Sequence, residues 1–214
     1  MALKDLALPV TLALLIAAGA VTIDRYFLRS CSGGSITSKA CALKTTMRKL
    51  WADHVIWTRE YIVSAVSDAQ DNKDVTERLM KNQADIGDAI GQFYGADAGN
   101  ALTVLLKDHI SLAGEVVAAA KAGNQEKLRD ADARWHKNAE DMSHFLNKAN
   151  NDWTVNDLLT MFNDHLRLTT DEATARIKKE WQKDIKAFDE IFDQIMKMAD
   201  MFTAGIIKQF PGKF

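Results

Sequence analysis

The chain is short of the residues that interrupt helices, with two prolines and 11 glycines in 214 positions. Between Thr154 and Gly205 it has neither. Cysteine is just as scarce: Cys31 and Cys41 are the only two, and nothing after position 41 carries a thiol. A zinc site built on paired thiolates is therefore excluded from everything beyond that point. The net charge is −2, with both signs interleaved and no basic run, so the electrostatic footprint of a nucleic-acid binder is missing. No Walker loop, GxGxxG turn or nucleophile motif occurs.

What is present is 47% apolar content with both charge signs mixed through it, the composition of an all-α globular body. One step repeats three times: Asp53-His54-Val55, Asp108-His109-Ile110 and Asp164-His165-Leu166. Successive histidines stand about 55 residues apart, which makes the body three copies of one unit. A second theme trails the first, as RLMKN ending at Asn82, RWHKN ending at Asn138 and EWQKD ending at Asp184. On that alignment the third unit is shorter by about ten residues.

Ahead of the repeats, the run from Leu6 to Ile23 carries no charge. As a helix it spans roughly 27 Å, about a hydrocarbon core. It reads as a transmembrane anchor, with Tyr26, Phe27 and Arg29 as interfacial anchors; the rival is a signal peptide cleaved near Ala18-Gly19-Ala20. Orientation is open. The cationic residues after the span place the body in the cytosol, whereas a Cys31–Cys41 disulfide across Gly33-Gly34 would need an oxidising compartment. The expected organisation is an anchor over 1–29, a Cys-containing linker over 30–42 and a helical domain over 43–214. That domain reads as an up-down bundle of about six helices, built from three helix-hairpin repeats.

Apolar residues recur at three-four spacing in every segment, the mark of a buried stripe. Each stripe contains one polar residue: His54, His109 and His165 on the odd helices, and Asn82, Asn138 and Asp184 on the even ones. An unpaired buried polar group costs roughly 1–3 kcal/mol, so these six must find partners. Three readings follow. The residues form a structural network fixing helix register, or the histidines hold zinc or iron or a small ligand, or imidazole and carboxylate do acid-base chemistry. In the metal reading Asp53, Asp108 and Asp164 stand behind the ligands and hydrogen-bond them. Gly87 and Gly91 read as a close-packing seam, the five tryptophans as core or boundary residues, and His136 and His144 as surface. The segment between the fifth and sixth helices has no glycine or proline, and Thr169-Thr170-Asp171-Glu172 is the capping-box candidate for a restart there.

The runs LWADHVIWTREYIVS, KNQADIGDAIGQFYG, LLKDHISLAGEVVAAAKAG, RWHKNAEDM, HLRLTTDEATARIKKEW and GIIKQFPGKF resemble a family of small helical proteins. Its members are mainly bacterial, with others in large DNA viruses. The resemblance covers about Leu43 to Phe214. It implies a helical bundle without an established activity and carries over no catalytic residue. Members mostly lack the anchor and the Cys-bearing tether found here. The expected role is a binding or scaffold component of a membrane, viral or envelope assembly, held to the bilayer by residues 6–23 and to a protein partner by the bundle. The alternative is a metal- or ligand-binding bundle using His54, His109 and His165.

Overall fold

A computed structural model describes residues 37–214. The expected membrane span, most of the linker and Cys31 lie outside the described residues, so the anchor and the Cys31–Cys41 pairing do too. Within them the chain is all-helical, with no strand. Six helices follow one another: α1 (Ser38–Ser67), α2 (Asn72–Tyr94), α3 (Ala96–Lys121), α4 (Gln125–Ala149), α5 (Val155–Ile177) and α6 (Trp181–Gln209), with a final turn at Pro211–Lys213. Helix α1 begins inside the stretch expected as linker, where the Thr37 hydroxyl accepts from the Ala40 amide at 3.2 Å. None of these helices is long and apolar enough to cross a membrane.

Local chemistry explains the boundaries. Gly95, at φ 93°, and Gly123, at φ 68°, supply the positive φ that ends α2 and α3. Asn124 caps α4 by accepting from the Lys127 amide at 3.0 Å. Thr154 does the same for α5, accepting from the Asp157 amide at 3.1 Å while donating to the Asp157 carboxylate at 2.7 Å. The break between α5 and α6 falls at Lys178-Lys179-Glu180, not at Thr169. Lys179 turns the chain with a positive φ of 60°, which an L side chain adopts only at a cost, so no glycine announces it. Thr169 lies inside α5, where its hydroxyl donates to the His165 carbonyl at 2.9 Å. The three charges at 178–180, which resemble solvated helix surface, are the turn itself.

Each helix packs on the next, and α1 packs on α6 to close the ring. Helices α1, α3 and α5 also touch one another across the middle, so the odd helix of each hairpin lies inside. The seam between α2 and α3 is the tightest crossing. A Cβ added at Gly87 would lie 2.6 Å from the Gly99 carbonyl oxygen, and one at Gly99 would lie 2.6 Å from the Gly87 oxygen. The seam at Gly87 and Gly91 therefore does what its spacing suggests, with Gly99 completing it. A Gly87→Ala variant should lose about 1–3 kcal/mol through overpacking, read as a lower urea midpoint with an unchanged m-value.

Candidate functional site

The three repeated histidines meet in the core. His54 is 2% exposed, and His109 and His165 are 4% exposed. The His165 ring lies between the others, its centroid 5.7 Å from that of His54 and 6.3 Å from that of His109. Tryptophans flank the group, with Trp51 5.6 Å from His54 and Trp135 5.3 Å from His109. Trp51, Trp135 and Trp153 are buried, as core aromatics should be, whereas Trp181 is half exposed.

A single clamp recurs around these rings. In the second unit, His109 Nδ1 lies 3.0 Å from Asn138 Oδ1, and Asn138 Nδ2 donates to the Leu105 carbonyl at 3.0 Å. In the third, His165 Nδ1 lies 3.3 Å from Gln194 Oε1, and Gln194 Nε2 donates to the Met161 carbonyl at 3.0 Å. The carbonyl belongs to the preceding turn of the histidine's own helix each time, and the sequence separation from ring to amide is 29 in both units. An amide oxygen only accepts, so Nδ1 carries the proton in both rings and Nε2 keeps the lone pair.

The first unit divides the same task. Asn82 Nδ2 donates to the Leu50 carbonyl at 3.0 Å, while Gln83, which follows His54 at the separation seen in the other two units, faces the ring. Gln83 Nε2 donates to the Leu79 carbonyl at 2.8 Å, leaving its oxygen as an acceptor. Neither that oxygen nor His54 Nδ1 has a hydrogen-bond partner, although Gln83 is near enough to favour the protonated ring. We regard them as a pair set just beyond bonding geometry.

Asp184 is not part of this group, which corrects the expected alignment. The amides of Gln83, Asn138 and Gln194 repeat at the same intervals as the histidines, so the third unit has lost nothing. Asp184 belongs instead to a buried ionic cluster. Arg59 Nη1 donates to Glu172 at 2.5 Å and to Asp184 at 2.8 Å, and Arg176 donates to Asp184 at 3.1 Å. This cluster ties α1 to α5 and α6, and the Arg59 guanidinium lies 4.8 Å over the Phe188 ring. Arg59 sits on the rim of α1's stripe, so periodicity alone did not point to it.

None of the adjacent aspartates is seen hydrogen-bonded to its ring, and Asp164 acts on His165 through its charge alone. Asp53 pairs with Lys49 at 2.5 Å and Asp164 with Arg167 at 2.6 Å, and Asp108 is exposed. His136 and His144 are on the surface as expected. Among the described residues, no group of three or more His, Cys, Asp or Glu stands ready to hold a metal ion.

Burial sets the electrostatics. It lowers all three imidazoles: His109 to about 3, with His165 adding to the effect, and His165 to about 4. His54 falls well below 6.5 through burial and then through the other two rings. Glu172 moves oppositely, raised to about 7 by burial that the Arg59 charge only partly offsets. None of the family models, curated proteins or solved structures compared with this chain matches it.

A pH dependence follows with a definite sign. The unfolded rings bind protons near pH 6.5, whereas in the fold His109 does so only near 3, His165 only near 4 and His54 well below 6.5, so stability is whole above pH 6.5 and drains as pH falls. Each ring contributes a slope of about 1.4 kcal/mol per pH unit. Glu172 acts in reverse, its contribution being present below its ordinary 4.5 and lost as pH rises to about 7. Three groups outweigh one, so unfolding midpoints should drop between about pH 6.5 and 4.5, and His109→Phe, which leaves two rings against Glu172, should flatten the drop by about half.

Asn138→Leu separates the clamp from simple burial. It leaves the His109 Nδ1–H and the Leu105 carbonyl without their partner and should cost about 2–4 kcal/mol. The same change at Asn82 removes one donor from the Leu50 carbonyl and the 3.3 Å contact from Gln83 Nε2, takes no partner from an imidazole, and should cost about half as much; equal losses in chemical denaturation would contradict the clamp.

Proposed function

We propose that the chain is a membrane-tethered binding or structural component of a larger assembly, and that the α5–α6 end of the bundle is its contact surface. In this reading residues 6–23 hold it to the bilayer and the histidine layer fastens helices without acting on a substrate. The supporting observation is an exposed apolar pair one turn apart on α6, Trp181 at 50% and Ile185 at 54% exposed. Scattered apolar residues on a surface are ordinary. A tryptophan beside an arginine is not, because those two types dominate interface hot spots.

This pair is also held in place. The Arg176 guanidinium lies 5.0 Å over the Trp181 ring, and Asp184, buried and gripped by Arg59, fixes Arg176 from beneath. A side chain already ordered loses less entropy when a partner covers it. The cluster thus turns buried charge into a rigid backing for the exposed ring.

The full chain, extracted from membranes in mild detergent, should run as a complex well above its monomer mass. Trp181→Ala/Ile185→Ala should return it to monomer mass while its helical content and unfolding temperature stay unchanged. A wild-type chain that is already monomeric, or a double variant that assembles equally well, would overturn the proposal.

A further inference from the structure

The outer side of the third hairpin is open. On α5, Asp157, Met161, Asp164 and Leu168 fall on one stripe, and on α6 Glu190, Gln194, Lys197 and Met201 fall on another with the same spacing. Together they line a groove of about 880 Å³, and the rise along either helix makes it roughly 16 Å long. Its floor is apolar, with Leu168 buried and Met161 and Met201 half-buried. Gln194 stiffens that floor, because its amide is tied to His165 and to the Met161 carbonyl.

The walls of the groove are acidic. Asp152, Asp157, Asp164, Glu190 and Asp193 stand there against two cations, Arg167 and Lys197. Pairs such as Asp164 with Arg167 and Glu190 with Lys186 are exposed, and exposed pairs hold their partners weakly. The repeat shows that this acidity is no requirement of the fold. Counted from the clamp amide of each unit, the positions of Glu190, Asp193 and Lys197 are Leu79, Asn82 and Ile86 in the first unit, all buried. In the second unit Arg134 and Lys137 stand where Glu190 and Asp193 do.

The start of α6 has the opposite character. Trp181 and Ile185 are exposed one turn apart among four exposed lysines, Lys178, Lys179, Lys183 and Lys186. Glu180 alone opposes those charges, since Asp184 is buried and held by Arg59 and Arg176. Apolar anchors at i and i+4 with cations beside them are what a helix lays into an apolar groove.

We propose, resting on the reading of the Trp181–Ile185 surface as the contact, that its partner is the α5–α6 groove of a second copy of this chain. Trp181 and Ile185 cover the floor, where the flexible thioethers of Met161 and Met201 mould to an aromatic ring. The lysines face the carboxylate walls, which sets the orientation of the two copies. Every copy then keeps one unused surface and one unused groove. Such a heterologous contact grows into a ring or a row instead of stopping at a pair.

Two variants of the full chain, purified in mild detergent and read by mass, test this by mixing. Trp181→Ala/Ile185→Ala removes the inserting surface, and Glu190→Lys/Asp193→Lys reverses the wall of the groove. Each alone is expected to be monomeric. An equimolar mixture should give a complex with one copy of each, because each retains the half that the other lacks. Wild-type assembly should weaken as salt rises. If Glu190→Lys/Asp193→Lys lowers helical content, Glu190→Gln/Asp193→Asn takes its place and should weaken association roughly tenfold. Three results would overturn the groove as partner while the contact surface stands: a groove variant that assembles like wild type, a mixture that stays monomeric, or a wild-type complex whose mass is not a multiple of the chain. A monomeric wild type would overturn both.

Discussion

Three imidazoles with almost no access to water impose the constraint from which the rest of the bundle follows. A buried ring with an unmet nitrogen costs a sizeable part of a stability of about 5–15 kcal/mol, so each histidine must be near an acceptor that its own hairpin provides. The Asn138 and Gln194 clamps meet that need, and in doing so fix the height of each even helix against its odd partner. A slip of one residue in either hairpin would move the amide about 100° round the helix and break both of its bonds.

That requirement accounts for the architecture. Rings at one level on three inner helices leave the outer helices to cover them, and consecutive packing with α1 against α6 gives the closed ring. Where the hairpins differ, the differences have local causes. The α2–α3 seam closes tightly because Gly87 and Gly99 let the backbones approach. The α4–α5 seam is thinner, and a surface bond from His136 to Asn163 at 3.0 Å bridges it. The ionic cluster of Arg59, Glu172, Asp184 and Arg176 belongs to the first and third units alone: Gly114 and Thr170 hold the positions equivalent to Arg59.

Much of this was legible in the sequence. The recurring Asp-His step marked out the three units, and helical spacing put the histidines inside. The second theme misled because EWQKD looks like RWHKN, whereas the physical partner is defined by its distance from the histidine. A search for an amide at one fixed separation after each histidine would have found Gln83, Asn138 and Gln194. Two features left no such trace. Lys179 turns the chain in a conformation its residue type disfavours, and Arg59 meets Asp184 across a sequence separation of 125, a contact that only the closed ring creates.

The central claim concerns protons, and the nitrogens of the three rings report it directly. Long-range ¹H–¹⁵N correlation spectra of the uniformly ¹⁵N-labelled chain, recorded from about pH 7 to pH 5, distinguish the two neutral tautomers from the charged ring. We expect three of the five histidines to remain neutral with the proton on Nδ1 throughout, while His136 and His144 are visible to solvent. Rings at 54, 109 and 165 that carry the proton on Nε2, or that titrate near 6.5 like free imidazole, would contradict the account.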